Sequence, residues 1–125
     1  AKAFNVAPST MFYEAKMLKT VNGEPVALCI DTFPSTILLH EVTLASFGSS
    51  IFDFLEEHGV SIAYADCDIM ACSAGEAMGA LFQVSPDKPL LLFDQTHYDR
   101  LNNQVLHSKT YFLTDKIRFN IVRRR

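Results

Sequence analysis

The start of an amphipathic helix is the clearest place for chemistry in this sequence. Gly48-Ser49-Ser50 precedes the segment 51–58, which carries apolar residues on one side and acidic residues on the other. Free N–H groups and the helix dipole at such an N-terminus favour an anion, and a serine hydroxyl adds a donor. Ser49 or Ser50 could equally cap the helix, because Ser50-x-x-Asp53 resembles a capping box. Two adjacent serines can fill both roles, so the pattern predicts a cap, an anion site or both.

Other side chains that often carry chemistry lack the required spacing. The four histidines are not spaced as metal ligands, and Cys29, Cys67 and Cys72 are odd in number with no C-x-x-C pair. We therefore expect no metal, no cofactor and no disulfide framework, which fits a protein of the reducing cytoplasm.

Composition excludes several classes of partner. The chain has 125 residues, the size of one domain, and 11 basic against 14 acidic residues give a net charge of −3. Bulk charge of this sign does not favour nucleic acid or an anionic membrane. No apolar run approaches the roughly 18 residues of a membrane helix, and the N-terminus lacks a signal-peptide core. We expect no membrane association.

Hydrophobic periodicity and turn residues predict a chain of strands and helices. Asn22-Gly23 carries a hairpin signal, and Gly59 ends the helix that follows Ser50. Segment 35–47 is apolar but irregular and is assigned to no element. Predicted strands cover residues 11–20, 25–33, 60–72, 89–98 and 104–112, and a second helix covers 74–84.

One pattern occurs twice along the chain. FNVAP at residues 4–8 recurs as FQVSP at 82–86, and each copy precedes a strand, an Asn-containing turn and a second strand. Chance similarity of five residues is the alternative to duplication, which the shared order of elements favours. We therefore predict an α+β fold: a mainly antiparallel sheet with helices packed on one face, containing an internally duplicated helix–hairpin unit.

Three stretches resemble a known family. Residues 22–26 (NGEPV), 47–53 (FGSSIFD) and 108–119 (SKTYFLTDKIRF) are similar to the UTRA domain, the effector-binding domain of GntR-type transcription regulators of the HutC subfamily. The family pattern is a D/N-G-x-P hairpin, an S-x-Y/F-D/E helix start and a closing S-x-x-Y-x-G-D-R-Y-R-F. The similarity runs from Phe4 to Arg118 and depends on the order and spacing of the three stretches.

The resemblance implies a chorismate-lyase-like fold that binds a small metabolite and performs no chemistry. It further implies a homodimer in which the effector alters operator binding, as in a repressor. Operator DNA would be contacted only through an N-terminal winged helix-turn-helix domain that this chain lacks. Residues 1–6 resemble the end of a helix and carry no initiator Met, so we expect residues 1–125 to be the single effector-binding domain of a longer, cytoplasmic protein.

The resemblance also indicates ligand-binding residues in the first half of the chain. Lys19 takes one of two basic family positions before the hairpin turn, and Met17 takes the other. Cys29 stands where the family often has a carboxylate, and Asp31 shares its strand face two residues later. Ser49 and Ser50 begin the predicted helix, and Phe52 matches an aromatic residue that lines family pockets.

The last predicted strand carries the remaining candidates. Leu106 and Phe112 replace a family glutamate and tyrosine, and alternation places Ser108 and Thr110 on the same face. Lys109 should point away from that face. Together with Met17 and Cys29, these replacements make an amino-sugar phosphate a poor fit and favour a less hydroxylated, partly apolar ligand with one anionic group.

Two other functions remain open at this point. The apolar residues at Leu106 and Phe112 could fill the pocket and leave a ligand-free dimerisation module. A lyase on the same fold would need a cluster of acidic and basic groups in the cavity, for which Met17, Cys29 and Leu106 are poor material.

Overall fold

A computed structural model describes residues 11–37 and 51–124. Its centre is a five-stranded sheet with strand order β1-β2-β5-β4-β3, in which every neighbouring pair is antiparallel. The sheet confirms the predicted α+β class and the mainly antiparallel pairing. The elements are β1 (Phe12–Val21), β2 (Glu24–Pro34), a short 3-10 helix (Ser35–Ile37), α1 (Ile51–Glu57), β3 (Tyr64–Ser73), α2 (Gly75–Phe82), β4 (Pro89–Tyr98) and β5 (Gln104–Phe112).

Two hairpins supply four of the five strands. In the β1–β2 hairpin, Asn22 and Gly23 both have positive φ, 53° and 80°, as a type I′ turn requires. In the β4–β5 hairpin, Asp99 Oδ1 accepts hydrogen bonds from the backbone N–H groups of Leu101 and Asn103, each at 2.9 Å. The hairpins join through their second strands, β2 and β5. This arrangement agrees with the predicted duplication of the hairpin, and the helix expected before the first copy lies outside the described residues.

The two helices lie on opposite faces of the sheet, not on one face as expected from the sequence. Phe54 and Leu55 of α1 pack with Phe33 and Leu106. Helix α2 packs on the other side, where Phe82 contacts Leu28, Leu90 and Leu113. Leu28 and Phe33 are an odd number of positions apart in β2, so their side chains point to opposite faces of the sheet. Each face therefore has its own core, at opposite ends of β2 and β5. We name the α1-bearing side the α1 face and the other the α2 face.

Strand β3 forms one edge of the sheet and is exposed on both sides. It pairs with β4 along its whole length, yet every residue except Cys72 is exposed. Neither described helix covers it. At the other edge, the Ser35 N–H donates to the Met11 carbonyl at 2.8 Å and joins the start of β1 to the end of β2. No helix among the described residues is long and apolar enough to cross a membrane.

Candidate functional site

A cleft of about 460 Å³ opens on the α1 face, between the first turn of α1 and the middle of the sheet. Strands β2, β4 and β5 contribute residues at alternate positions, which their register fixes, while the edge strand β1 adds consecutive residues. Five of the nine predicted ligand-binding residues line it. The lining residues are Glu14, Ala15, Lys16, Met17, Lys19, Cys29, Asp31, Ile51, Phe52, Gln95, His97, Ser108 and Thr110.

A buried carboxylate lies in this cleft. Asp31 is 8% exposed, and register places it opposite Ser108 in β5. The Ser108 hydroxyl donates to Asp31 Oδ1 at 2.6 Å, and the Cys29 thiol approaches Oδ2 at 3.5 Å as a weak donor. These contacts hold the carboxylate in place while leaving it within reach of the cleft. Asp31 is the one acidic residue among the predicted site residues, and it contacts two others, Ser108 and Cys29.

Cys29 connects this carboxylate to the next polar group along β5. The Thr110 hydroxyl donates to Cys29 Sγ at 3.5 Å. Burial raises the pKa of the Cys29 thiol, the Thr110 hydrogen bond lowers it, and the charge of Asp31 raises it further. Lys19 acts in the opposite direction through its positive charge. The net increase keeps Cys29 protonated at neutral pH, so it acts as a donor to Asp31 and is a poor nucleophile.

His97 and Phe52 meet on the α1 side of the cleft. Their ring centroids lie 5.6 Å apart in an edge-to-face arrangement. Burial lowers the pKa of His97, and the nearby Asp31 charge offsets this only in part. His97 is therefore neutral at neutral pH, and its ring can donate one hydrogen bond and accept another.

The other predicted residues have different positions. Leu106 is fully buried in the core beneath α1 and does not line the cleft. Phe112 packs in an aromatic cluster with Phe93 and Phe119, at centroid distances of 5.1 and 4.8 Å. Ser49 and Ser50 lie outside the described residues. The structure therefore brings together Lys19, Cys29, Asp31, Phe52 and Ser108.

Sequence reasoning did not single out His97 or Gln95 as site residues. Both belong to β4, and they enter the cleft because His97 pairs with Leu106 and Gln95 with Ser108. Alternation had placed Thr110 on the face of Ser108, and the structure confirms this. To predict these two β4 residues as part of the site, the register between β4 and β5 must be known. The hairpin pattern in the sequence does not specify that register.

A second cleft, of about 550 Å³, lies near the β4–β5 turn and the end of α1. None of the predicted site residues lines it, and its walls include the buried ring of His58 and the turn residues 99–103. Within residues 11–37 and 51–124, no three His, Cys, Asp or Glu side chains are grouped as metal ligands would be. The α1-face cleft is therefore the candidate site.

Comparison with known proteins places the chain in a family. Residues 1–118 match the UTRA domain, and the chain belongs to that family. No curated protein matches the sequence.

Solved structures share its chorismate-lyase-like fold. A GntR-family transcriptional regulator from Enterococcus faecalis superposes with a TM-score of 0.86 at 14% identity, covering 98% of this chain and 88% of the other. The ligand-binding domain of a GntR-family regulator from Bordetella bronchiseptica gives 0.86 at 22%, covering 98% and 79%. The effector domain of PhnF from Mycobacterium smegmatis gives 0.86 at 14%, covering 99% and 76%. The chain is thus similar in fold to regulatory domains of transcription factors.

Proposed function

We propose that this chain is the effector-sensing domain of a bacterial GntR-type transcription regulator of the HutC subfamily. It binds a small metabolite with an anionic group, and binding changes operator affinity of a separate N-terminal winged helix-turn-helix domain. The observation that carries the proposal is the α1-face cleft, which Lys19, Asp31 and Ser108 line together with the apolar Phe52. A protein of this kind works in the cytoplasm, where its DNA is, and acts as a repressor.

The placement of Leu106 and Phe112 supports a ligand-binding domain over a ligand-free module. A ligand-free dimerisation module was considered because these two side chains could fill the pocket. Leu106 instead packs under α1, and Phe112 packs against Phe93. The cleft between them is open and carries polar groups, which favours a ligand.

The polar groups of the cleft also favour binding over catalysis. A lyase needs acid and base groups near a reacting carbon. Here the Cys29 thiol has a raised pKa and the Asp31 carboxylate already accepts hydrogen bonds from Ser108 and Cys29. These contacts are suited to holding a ligand.

Calorimetry on the purified chain tests the proposal. A panel of small carboxylates and phosphate monoesters is titrated into the wild type, Lys19→Met and Lys109→Met. Lys109 lies in β5 opposite Ile30 of β2 and Asp94 of β4, on the α2 face. It is therefore a matched control for loss of a strand lysine. We expect at least one anionic compound to bind, about tenfold more weakly to Lys19→Met and unchanged to Lys109→Met. Absence of binding across the panel would favour the ligand-free module, and equal binding by both variants would remove Lys19 from the site.

The same proposal includes a homodimer, and β3 is the surface that supports it. An exposed edge strand presents unpaired backbone N–H and C=O groups to another chain. Antiparallel pairing of two β3 strands about Ile69 would place Asp68 opposite Met70 of a second copy, so that acidic residues do not face each other. Ile69 and Met70 are 57% and 42% exposed and would be covered. Ligand binding that shifts this pairing would change the placement of two DNA-binding domains on an operator.

A further inference from the structure

The Asp31 carboxylate in the cleft has no cationic partner among the described residues. It is buried, and the polar contacts that these residues make with it come from a neutral hydroxyl and a neutral thiol. No Lys, Arg or His side chain of the described residues forms an ion pair with it. A buried carboxylate is costly unless hydrogen bonds or a positive charge compensate it. The Asp31 carboxylate can therefore bind a positively charged group, which the described part of the chain does not supply.

The neighbouring residues offer no substitute for that positive charge. His97 lines the same cleft, but its burial favours the neutral ring. Residues 38–50, which precede α1 in the chain, contain neither lysine nor arginine, and His40 is the one residue among them that can become cationic. Lys16 and Lys19 line the cleft, but neither forms an ion pair with Asp31. A cationic group on the ligand would supply this charge.

Lys19 lies at a distance that suits a second ligand group. Ala15 pairs with Asp31 across β1 and β2, and Lys19 is four residues further along β1. That separation is about 13 Å along the strand, and the flexible Lys19 side chain shortens it. Met17 lies between these positions on the same face, and Phe52 covers the cleft from α1. The cleft thus has an acceptor at one end, a cation at the other and apolar surface between them.

We propose that the ligand of this cleft is amphoteric. A protonated amine or amidine donates to Asp31, an anionic group binds Lys19, and a short apolar linker contacts Met17 and Phe52. The inference rests on the proposed sensing function and narrows its ligand class, since an anionic group alone would satisfy Lys19 only.

Paired probes test the amine requirement. Straight-chain ω-amino acids of about four to six carbon atoms, a length chosen from the strand spacing, are titrated calorimetrically beside their amine-free carboxylates and the matching dicarboxylates. We expect amine-bearing probes to bind about 10- to 100-fold more tightly than their amine-free partners, the range for a charge-assisted hydrogen bond. In Asp31→Asn this preference should disappear. The asparagine oxygen can still accept from Ser108, so the fold should be kept.

Asp94→Asn is the matched control. Asp94 is a half-buried carboxylate in β4 on the α2 face, where it pairs with His107, and its loss should leave the amine preference unchanged. If amine-free carboxylates or dicarboxylates bind as tightly as amino acids, or if Asp31→Asn keeps the preference, the inference is wrong while the sensing function stands. If the amine-bearing probes fail and other anionic metabolites bind through Lys19, the inference is likewise wrong. Failure of every probe in both titrations overturns the sensing function as well.

Discussion

At the scale of single residues, the cleft depends on a short series of hydrogen bonds. Thr110 donates to Cys29, Cys29 donates to Asp31, and Ser108 donates to the other oxygen of Asp31. The two Asp31 contacts differ in strength, because a hydroxyl is a better donor than a thiol and its distance is shorter. Ser108 therefore does most to compensate the buried carboxylate.

Removal of that hydroxyl gives the first stability prediction. Ser108→Ala leaves one Asp31 oxygen without its short hydrogen bond in a buried place. We expect the free energy of unfolding to fall by about 1–3 kcal/mol, measured by urea denaturation. Thr110→Ser, which keeps a hydroxyl in the neighbouring position of the same strand face, should cost less. Equal stability of Ser108→Ala and the wild type would show that the hydrogen bond does not stabilise the fold.

His97 predicts how stability depends on pH. Burial lowers its pKa below the ordinary value of 6.5, so the unfolded chain takes up a proton at a higher pH than the folded chain does. The free energy of unfolding should therefore decrease as the pH falls through about 6.5 towards the folded pKa of His97. Urea midpoints across this range would measure the slope, and His97→Gln should flatten it. A slope that is unchanged in His97→Gln would assign the effect to another group.

At the scale of secondary-structure elements, the β1–β2 turn predicts a local cost. Gly23 has φ of 80°, and nothing lies within 4 Å of the place where a Cβ would be added. Gly23→Ala should therefore lose only backbone conformational energy, about 1–2 kcal/mol. Thermal unfolding would measure it. Asn22→Gly should cost little, since glycine also accepts the φ of 53° at that position. A neutral Gly23→Ala would mean that the turn relaxes to another type.

The strands were largely predictable from the sequence, and the helix placement was not. Strand bounds in the second hairpin, 89–98 and 104–112, agree with the structure because Pro89 and the Asp99 turn mark them locally. Val60 was expected to begin β3, but the strand begins at Tyr64. The faces of α1 and α2 depend on which sheet residues they contact, and these contacts join parts of the chain that are far apart. Local patterns do not contain that information, and for the same reason His97 was missed.

At the scale of the whole molecule, the exposed edge predicts the oligomeric state. We expect the purified chain to be a dimer by sedimentation, and Ile69→Asp to raise the dimer dissociation constant at least about tenfold, because it would place two like charges opposite each other. Val21→Asp is a matched control: Val21 is also 57% exposed, but it lies in β1 at the opposite edge. A monomeric wild type, or dissociation by Val21→Asp alone, would rule out the β3 interface.

The hydrogen bond between Ser35 and Met11 has a consequence for how a bound ligand could be sensed outside the cleft. Met11 precedes β1, and Ser35 begins the short 3-10 helix that follows β2. Asp31 lines the cleft in the same strand, four residues before Ser35, so a ligand that shifts Asp31 also acts on the end of β2. The displacement would reach Met11 through the Ser35 hydrogen bond. Slower hydrogen exchange of the Ser35 amide on ligand binding would reveal this mechanical link, which gives the polypeptide leading into the domain a direct signal of occupancy.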